Sequence, residues 1–353
     1  MTPRATGLLL GVLADAVLGD PVRWHPVAGF GRLADRVERR CYADSYRAGA
    51  IHSALCTGAA AGAGVLLTRL VRGRPGAEVL AVASATWAVL GGTSLAREGE
   101  SLATALGLGD LAGARATITH LCARDPDTLD EAGLVRAGCE SLAENTSDAV
   151  VAPLLWGAVA GLPGLLGYRA VNTLDAMVGY RSPRYHRFGH TAARVDDLAN
   201  LAPARLTAGL TVVLAPLVGG SPVRAARAWC RDAAAHPSPN AGPVEAAAAG
   251  ALGIRLGGAT RYPHGLERRP VLGDGAAPGV VDLRRSVRLC RLLAGVSGAL
   301  AVAAATGVPR WRSGQNRALP YRSTSGSTCS CGSSFSCSSA SGSPRCSSSS
   351  RTK

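Results

Sequence analysis

Lysine is almost missing from this 353-residue chain: 38 residues are basic, and the only lysine among them is Lys353. A body without lysine has no Walker-A lysine to cradle a polyphosphate and no amine for a Schiff base, so two large enzyme classes are excluded. Closely spaced cysteine pairs are also missing from the body. Cys41, Cys56, Cys122, Cys139, Cys230 and Cys290 lie scattered with no Cys-x-x-Cys among them. That spacing excludes a zinc knuckle or a disulfide framework and reads as reduced thiols in a cytoplasm-facing protein. Charged residues are scarce at 18%, against 47% apolar residues and 44 glycines, which excludes a disordered or fibrous chain and allows a sizeable core.

The net charge of +14 raises the question of nucleic acid, and its distribution answers it. Residues 309–353 carry seven positive charges and no acid. The other arginines are spread among acids and apolar runs, with no basic helix and no stripe interleaved with aromatics, so nucleic acid is not an expected partner. From Pro309 the chain is rich in serine, arginine and cysteine and reads as a disordered tail, with out-of-frame translation as an alternative origin. Residues 1–308 read as a single integral-membrane domain. No internal repeat stands out.

Mean hydropathy is +0.15, and several runs approach the roughly 20 residues that cross a bilayer. They are Ala50–Val71, Ala77–Leu95, Ala149–Tyr168, Ala204–Gly220 and Leu289–Val308, with a shorter Thr6–Gly19 at the start. Small residues dominate them, which suits close helix packing in lipid. The expected fold is all-α: a polytopic membrane bundle of four to six hydrophobic helices joined by polar helical loops. Buried helices of a soluble all-α protein are the alternative. Asp15 lies inside the first run, so that run reads as a retained helix rather than a signal peptide. Pro153 and Pro163 interrupt Ala149–Tyr168 and leave a piece too short to cross, which predicts a broken or re-entrant segment that brings the polar motifs before and after it together. Arginines flank one span on both sides, so their count does not fix orientation.

Three polar clusters border these runs. In the first, Gly138 to Asp148, a helix places Glu140, Glu144 and Asp148 on one face at i, i+4 and i+8, and such a row repels itself unless a cation or arginines lie opposite. Mg²⁺ takes one or two such carboxylates together with substrate phosphates. The second cluster runs from Tyr168 to Arg181 and on to Asn200. It groups Arg169, Asn172 and Asp175 on one helix and Asp196 with Asn200 on another, and acids for a metal beside arginines for phosphate oxygens suit phosphoryl chemistry. Solvated acidic faces and surface ion pairs are the plain alternatives. The third runs from His236 through Ser238, Asn240 and Glu245 to Gly257-Gly258 and Gly273-Asp274-Gly275. Ser238 or Asn240 can cap the helix that carries Glu245, and the glycine turns could form anion nests. Gly107-x-Gly109-x-x-Ala112 follows no predicted strand and is dismissed as a dinucleotide fingerprint.

In combination these segments resemble the CobD/CbiB family of cobalamin biosynthesis, the adenosylcobinamide-phosphate synthases. The residues that carry the resemblance are Leu18-Gly19-Asp20-Pro21 with His25-Pro26-Val27 and Gly31, then Glu140 to Asp148 running into Val151-Ala152-Pro153. They continue with Tyr168 to Asp175 and Gly179-Tyr180-Arg181, Ala193 to Asn200 with Pro203-Ala204-Arg205-Leu206, and Ser238 to Gly242 with Gly250 to Gly253. The resemblance covers roughly Leu8 to Leu300. At Pro243-Val244-Glu245 the chain departs from the family's aromatic followed by proline and an acid.

The resemblance implies a multi-pass enzyme of the inner membrane with its active site towards the cytoplasm. Such an enzyme joins adenosylcobyric acid to aminopropanol or its phosphate in an ATP-dependent amide synthesis, with Mg²⁺ as cofactor. Its partners would be the corrinoid, the amine, membrane lipid and other cobalamin-assembly enzymes. On that reading Glu144, Asp148, Asp175 and Asp196 or Asp197 hold Mg²⁺, and Arg169, Arg181 and Arg194 bind phosphates. Asn145, Asn172, Asn240 and Ser238 orient substrate, His236 or His25 accepts the amine proton, and Asp175, Asn172, His236 and Glu144 form the catalytic set. A Mg²⁺-dependent membrane transferase acting on a prenyl diphosphate and a non-enzymatic transporter are the rival readings.

Overall fold

Caps and breakers in the sequence set the helix boundaries. The computed structural model describes residues 1–307 apart from 21–24, 181 and 263–264, and of residues 259–268 only the backbone. The tail from Pro309 and the predicted site residue Arg181 thus lie outside the described residues. The chain runs α1 (Pro3–Leu18), α2 (Pro26–Cys41), α3 (Tyr46–Leu70), α4 (Pro75–Val89), α5 (Gly92–Gly107), α6 (Leu111–Leu121) and α7 (Glu131–Thr146). A π-helical turn, Ser147–Val151, joins α7 to α8 (Ala152–Ala160). Then come α9 (Leu162–Val178), α10 (His190–Leu214), α11 (Pro222–Asp232), α12 (Ala241–Leu252), a hairpin of β1 (Leu256–Tyr262) and β2 (Gly265–Leu272), and α13 (Val280–Gly307). Thr2, Ser45, Asp130 and Ser221 each accept a backbone N–H of the helix they precede, and proline opens α1, α2, α4 and α11.

Among the described residues four helical stretches are long and apolar enough to cross a membrane: α3, α4 with α5, the stretch from α10 to Val218, and α13. In the apolar window of α3 only 22% is buried. Ile51, Leu55, Leu66 and Leu70 on α3, Leu80 on α4, Val213 on α10 and Leu300 on α13 stand exposed, which in a bilayer is a lipid-facing belt. The all-α membrane fold stands, with the two-stranded antiparallel hairpin as the one addition that the sequence did not predict.

Among the described residues four buried clusters hold the helices together, the smallest of them made of Ala215, Ala225 and Ala251. Leu102, Ile118, Leu134, Leu142, Leu283 and Leu293 join α5, α6, α7 and α13. Leu8, Val82, Leu154 and Ala301 join α1, α4, α8 and α13, and Phe188 centres a third with Ala34, Cys56 and Leu174. Asp15, the acid in the first apolar run, accepts from the Thr93 backbone N–H at 3.3 Å and from its hydroxyl at 3.2 Å, and so caps α5 where the chain breaks after α4.

The predicted interruption of Ala149–Tyr168 is a helical hairpin. Helix α8 has nine residues, about 13 Å of rise, far short of a bilayer. Gly161, at φ 66°, ends it in a conformation that glycine adopts freely, and α9 folds back against it. The backbones approach so closely that a Cβ on Gly164 would collide with the Trp156 carbonyl oxygen. Pro163 lies in the first turn of α9 and starts that helix, whereas Pro153 follows the π-helical turn with helical residues on both sides of it.

Candidate active site

The face of α7 predicted to carry Glu140, Glu144 and Asp148 divides between two roles. Glu140 is buried and committed: Arg124, from the turn after α6, donates to its Oε2, and the Gly257 N–H donates to Oε1 at 2.6 Å. Both members of the Arg124–Glu140 pair are at most 6% exposed. One turn on, Glu144 is accessible, and Asp148, in the π-helical turn, is half-buried. Both nonetheless feel strong desolvation, so they line a recess walled by protein rather than an outer surface.

The α8–α9 hairpin returns the second cluster to this recess. The Tyr168 hydroxyl donates to Asn200 Oδ1 at 2.8 Å and lies 3.0 Å from the Asp148 carbonyl oxygen, which ties α9 to α10 and to the π-helical turn. Asn200 Nδ2 in turn donates to Asp196 Oδ2 at 3.0 Å. The other Asp196 oxygen is buried without a hydrogen-bond partner. Arg169 Nη1 donates to Asn172 Oδ1 at 3.3 Å, and Asn172 also lies beside Asp196. Asp148 interacts electrostatically with Asp196, Glu144, Asp175 and Arg169, and Asp175 with Asp197 and Glu144. Carboxylates distant in sequence therefore share one electrostatic site. Helix α10 carries Asp196 and Asp197 straight into the apolar run after Pro203, where the sequence suggested a polar connection before the span.

Desolvation sets the protonation of the groups outside the spans. It raises Glu144, with Arg269 and Arg124 opposing and Glu140 adding repulsion. It pushes Asp148 well above the carboxylate range, reinforced by Asp196, Glu144 and Asp175. Asp175 rises to about 6 through desolvation, then Asp197 and Glu144. Such a cluster is short of positive charge, and a cation is what it would accept.

The third segment joins from the side. The Ser238 hydroxyl accepts from the N–H groups of Asn240 (3.3 Å) and Ala241 (3.1 Å) and so caps α12. Asn240 is held at both ends of its amide, donating to the Asp197 carbonyl at 2.8 Å and accepting from Arg205 at 3.0 Å. His236 Nδ1 lies 3.1 Å from the Ser238 backbone nitrogen and 3.3 Å from the Ser238 carbonyl oxygen, and its Nε2 lies 4.0 Å from Glu245 Oε1. Burial lowers the His236 pKa and raises that of Glu245 well above the carboxylate range, where Glu140 and Glu144 add repulsion. The glycine turns expected to nest an external anion hold the protein's own: Gly257 N–H binds Glu140, and Gly273 N–H binds Asp232 Oδ2 at 2.8 Å.

The remaining candidates lie at the margin. His25 caps α2, with Nδ1 accepting from the Val27 N–H at 3.2 Å, and interacts electrostatically with Asp20 and Arg169. Asn145 donates to the Leu121 carbonyl at 3.1 Å, which fixes α6 to α7. Arg194 is exposed in the first turn of α10. Sequence reasoning missed Arg124 and Arg269, which come from a turn and from β2 and which both act on Glu144 and Glu245. It also gave no role to Tyr168, although the tyrosine immediately precedes Arg169.

Among the described residues no group of three or more His, Cys, Asp or Glu side chains could hold a metal ion. Mg²⁺ needs only one or two carboxylates when substrate phosphates complete its shell, and the unpartnered Asp196 oxygen beside Asp148 and Asp175 fits that mode.

Comparison with known proteins points in one direction. The profile of the family described as "CobD/Cbib protein" matches residues 8–290. The chain is 57% identical over 301 residues to "Cobalamin biosynthesis protein CobD" of Mycobacterium tuberculosis (strain ATCC 25618 / H37Rv), covering 85% of this chain and 95% of that protein. It is 44% identical over 307 residues to the protein of the same name from Chromobacterium violaceum, covering 84% and 96%. No solved structure matches.

Proposed function

The chain belongs to the CobD/CbiB family of cobalamin biosynthesis, and on that premise we propose that it joins adenosylcobyric acid to aminopropanol or its phosphate through an ATP-dependent amide bond. The observation that carries this reading is the convergence of Glu144, Asp148, Asp175, Asp196 and Asp197 with Arg169 in one recess. A carboxylate does not condense with an amine in water without activation. Its oxygen first attacks the γ-phosphorus of ATP, which gives an acyl phosphate and releases ADP. The amine nitrogen then attacks the acyl carbon, the C–O bond to phosphate breaks, and phosphate leaves.

The residues divide this work by position. Of Asp148, Asp175, Asp196 and Asp197, one or two would hold Mg²⁺ together with substrate phosphates, with Asp196 foremost through its unpartnered oxygen, and the ion when bound offsets the charge of the polyphosphate. Arg169, oriented by Asn172, binds phosphate oxygens. Glu144 accepts the amine proton, since a carboxylate with a raised pKa in an accessible recess is the stronger base. His236 acts behind it, because its Nδ1 is engaged by the Ser238 backbone and its Nε2 lies 4.0 Å from Glu245. The recess faces the cytoplasm, where ATP is available.

ATP consumption by the purified, detergent-solubilised protein tests the proposal. Hydrolysis that requires both adenosylcobyric acid and the amine supports it. Turnover of ATP indifferent to either substrate, or none with both present, overturns it.

A further inference from the structure

Helix α2 presents three arginines, Arg32, Arg36 and Arg40, four residues apart on one exposed face. The acids of this helix are engaged elsewhere. Asp35 holds Arg39 at 2.8 Å, and buried Glu38 accepts from Arg184 and from the Tyr185 hydroxyl, each at 3.0 Å. Arg32, Arg36 and Arg40 make no hydrogen bond or ion pair among the described residues. Like charges at this spacing work against a helix, so the stripe calls for anions opposite.

Its place in the fold says which anions. Helix α3, long enough to cross a membrane, begins at Tyr46, five residues after α2 ends at Cys41. Helix α2 lies across that end of the bundle. His52 on α3 contacts the Ala34 carbonyl at 3.0 Å, Gly31 faces Met177 near the end of α9, and the Tyr42 hydroxyl donates to the Arg184 carbonyl at 2.9 Å. Leu33, 51% exposed, stands beside the stripe. The arginines are thus at the level where a span leaves the hydrocarbon.

We propose that Arg32, Arg36 and Arg40 form a docking stripe for anionic phospholipid headgroups. Guanidinium groups bind phosphate oxygens in a two-pronged manner, and their stems and Leu33 lie along the acyl boundary. Each cation near an anionic surface strengthens binding about fivefold. The proposal is independent of the reaction assigned to the recess.

The test titrates the full chain in detergent with fluorescent phosphatidylglycerol and phosphatidylcholine, read by anisotropy. Wild type should prefer phosphatidylglycerol, and high salt should weaken the preference. Arg32→Gln/Arg36→Gln/Arg40→Gln together should lower that affinity on the order of 100-fold, with helix content and ATP consumption in phosphatidylcholine micelles unchanged. Arg39→Gln, whose guanidinium is already held by Asp35, should leave the affinity intact. If the triple variant does not fold, Arg36→Glu alone gives the same reading. Undiminished phosphatidylglycerol binding by the stripe variants overturns the proposal. Equal loss in Arg39→Gln, or displacement of the lipid by inorganic phosphate or an oligonucleotide at matched phosphate concentration, overturns it as well.

Discussion

Tyr168 and Asn200 are joined by a 2.8 Å hydrogen bond between α9 and α10, and the same asparagine holds Asp196 at 3.0 Å. The phenol thus fixes, through one intermediate, a carboxylate proposed to hold the metal. Tyr168→Phe should cost about 1–3 kcal/mol, the penalty for an unsatisfied buried acceptor, and should weaken the response to Mg²⁺ more than it lowers helix content. Thermal unfolding in detergent and a Mg²⁺ titration of ATP consumption measure both. An unchanged Mg²⁺ dependence removes Tyr168 from this role.

Asp175 stands where the fields of Asp197 and Glu144 meet. Asp175→Asn should abolish ATP consumption that depends on the corrinoid while leaving the protein monodisperse and helical. Retained turnover in the variant excludes Asp175 from the chemistry.

Proton linkage gives a third expectation. Asp175 is raised from an ordinary 3.8 to about 6 in the fold, so between these values the unfolded chain ionises first. The stability of the metal-free protein should therefore fall as pH rises from about 4 to about 6 on account of this group. Mg²⁺ binds the ionised form. It should raise the unfolding midpoint at pH 7 and progressively lose that effect below about pH 6. Equal stabilisation at pH 5 and pH 7 contradicts a carboxylate site of this kind.

Arg124 and Glu140 form a pair with both members almost wholly enclosed. Arg124→Ala leaves a carboxylate buried without its cation and should destabilise the protein by about 3–5 kcal/mol. Adding Glu140→Gln should recover part of that loss, because an amide oxygen still accepts from the Gly257 N–H. A double variant no more stable than Arg124→Ala would show that the charge is not what is left stranded.

Much of this arrangement was legible because it depends on local pattern. The apolar runs around Ala50 and Leu289 gave α3 and α13, and Pro153 with Pro163 marked the hairpin, Pro163 as the start of α9 and Pro153 beside the π-helical turn. Helical spacing put Asn172 with Asp175 and Asp196 with Asn200. What escaped depends on contacts between distant segments. Arg124 lies in an Asp- and Pro-containing turn that reads as surface, and nothing near it in sequence announces Glu140. Glycines at 257 and 273 read as nests for a foreign anion because the carboxylates that fill them are more than a hundred and about forty positions away. The continuity of α10 from Asp196 into the apolar run escaped because a polar motif and an apolar run read as separate segments, yet one helix carries both.

The reversal at Gly161 has a topological consequence. Because the chain reverses there, Asp148 and Asp175 come to the same end of the α8–α9 hairpin, and folding the hairpin is enough to assemble them. The two carboxylates can then meet one ligand from one side, with the hairpin itself as a wall of the site.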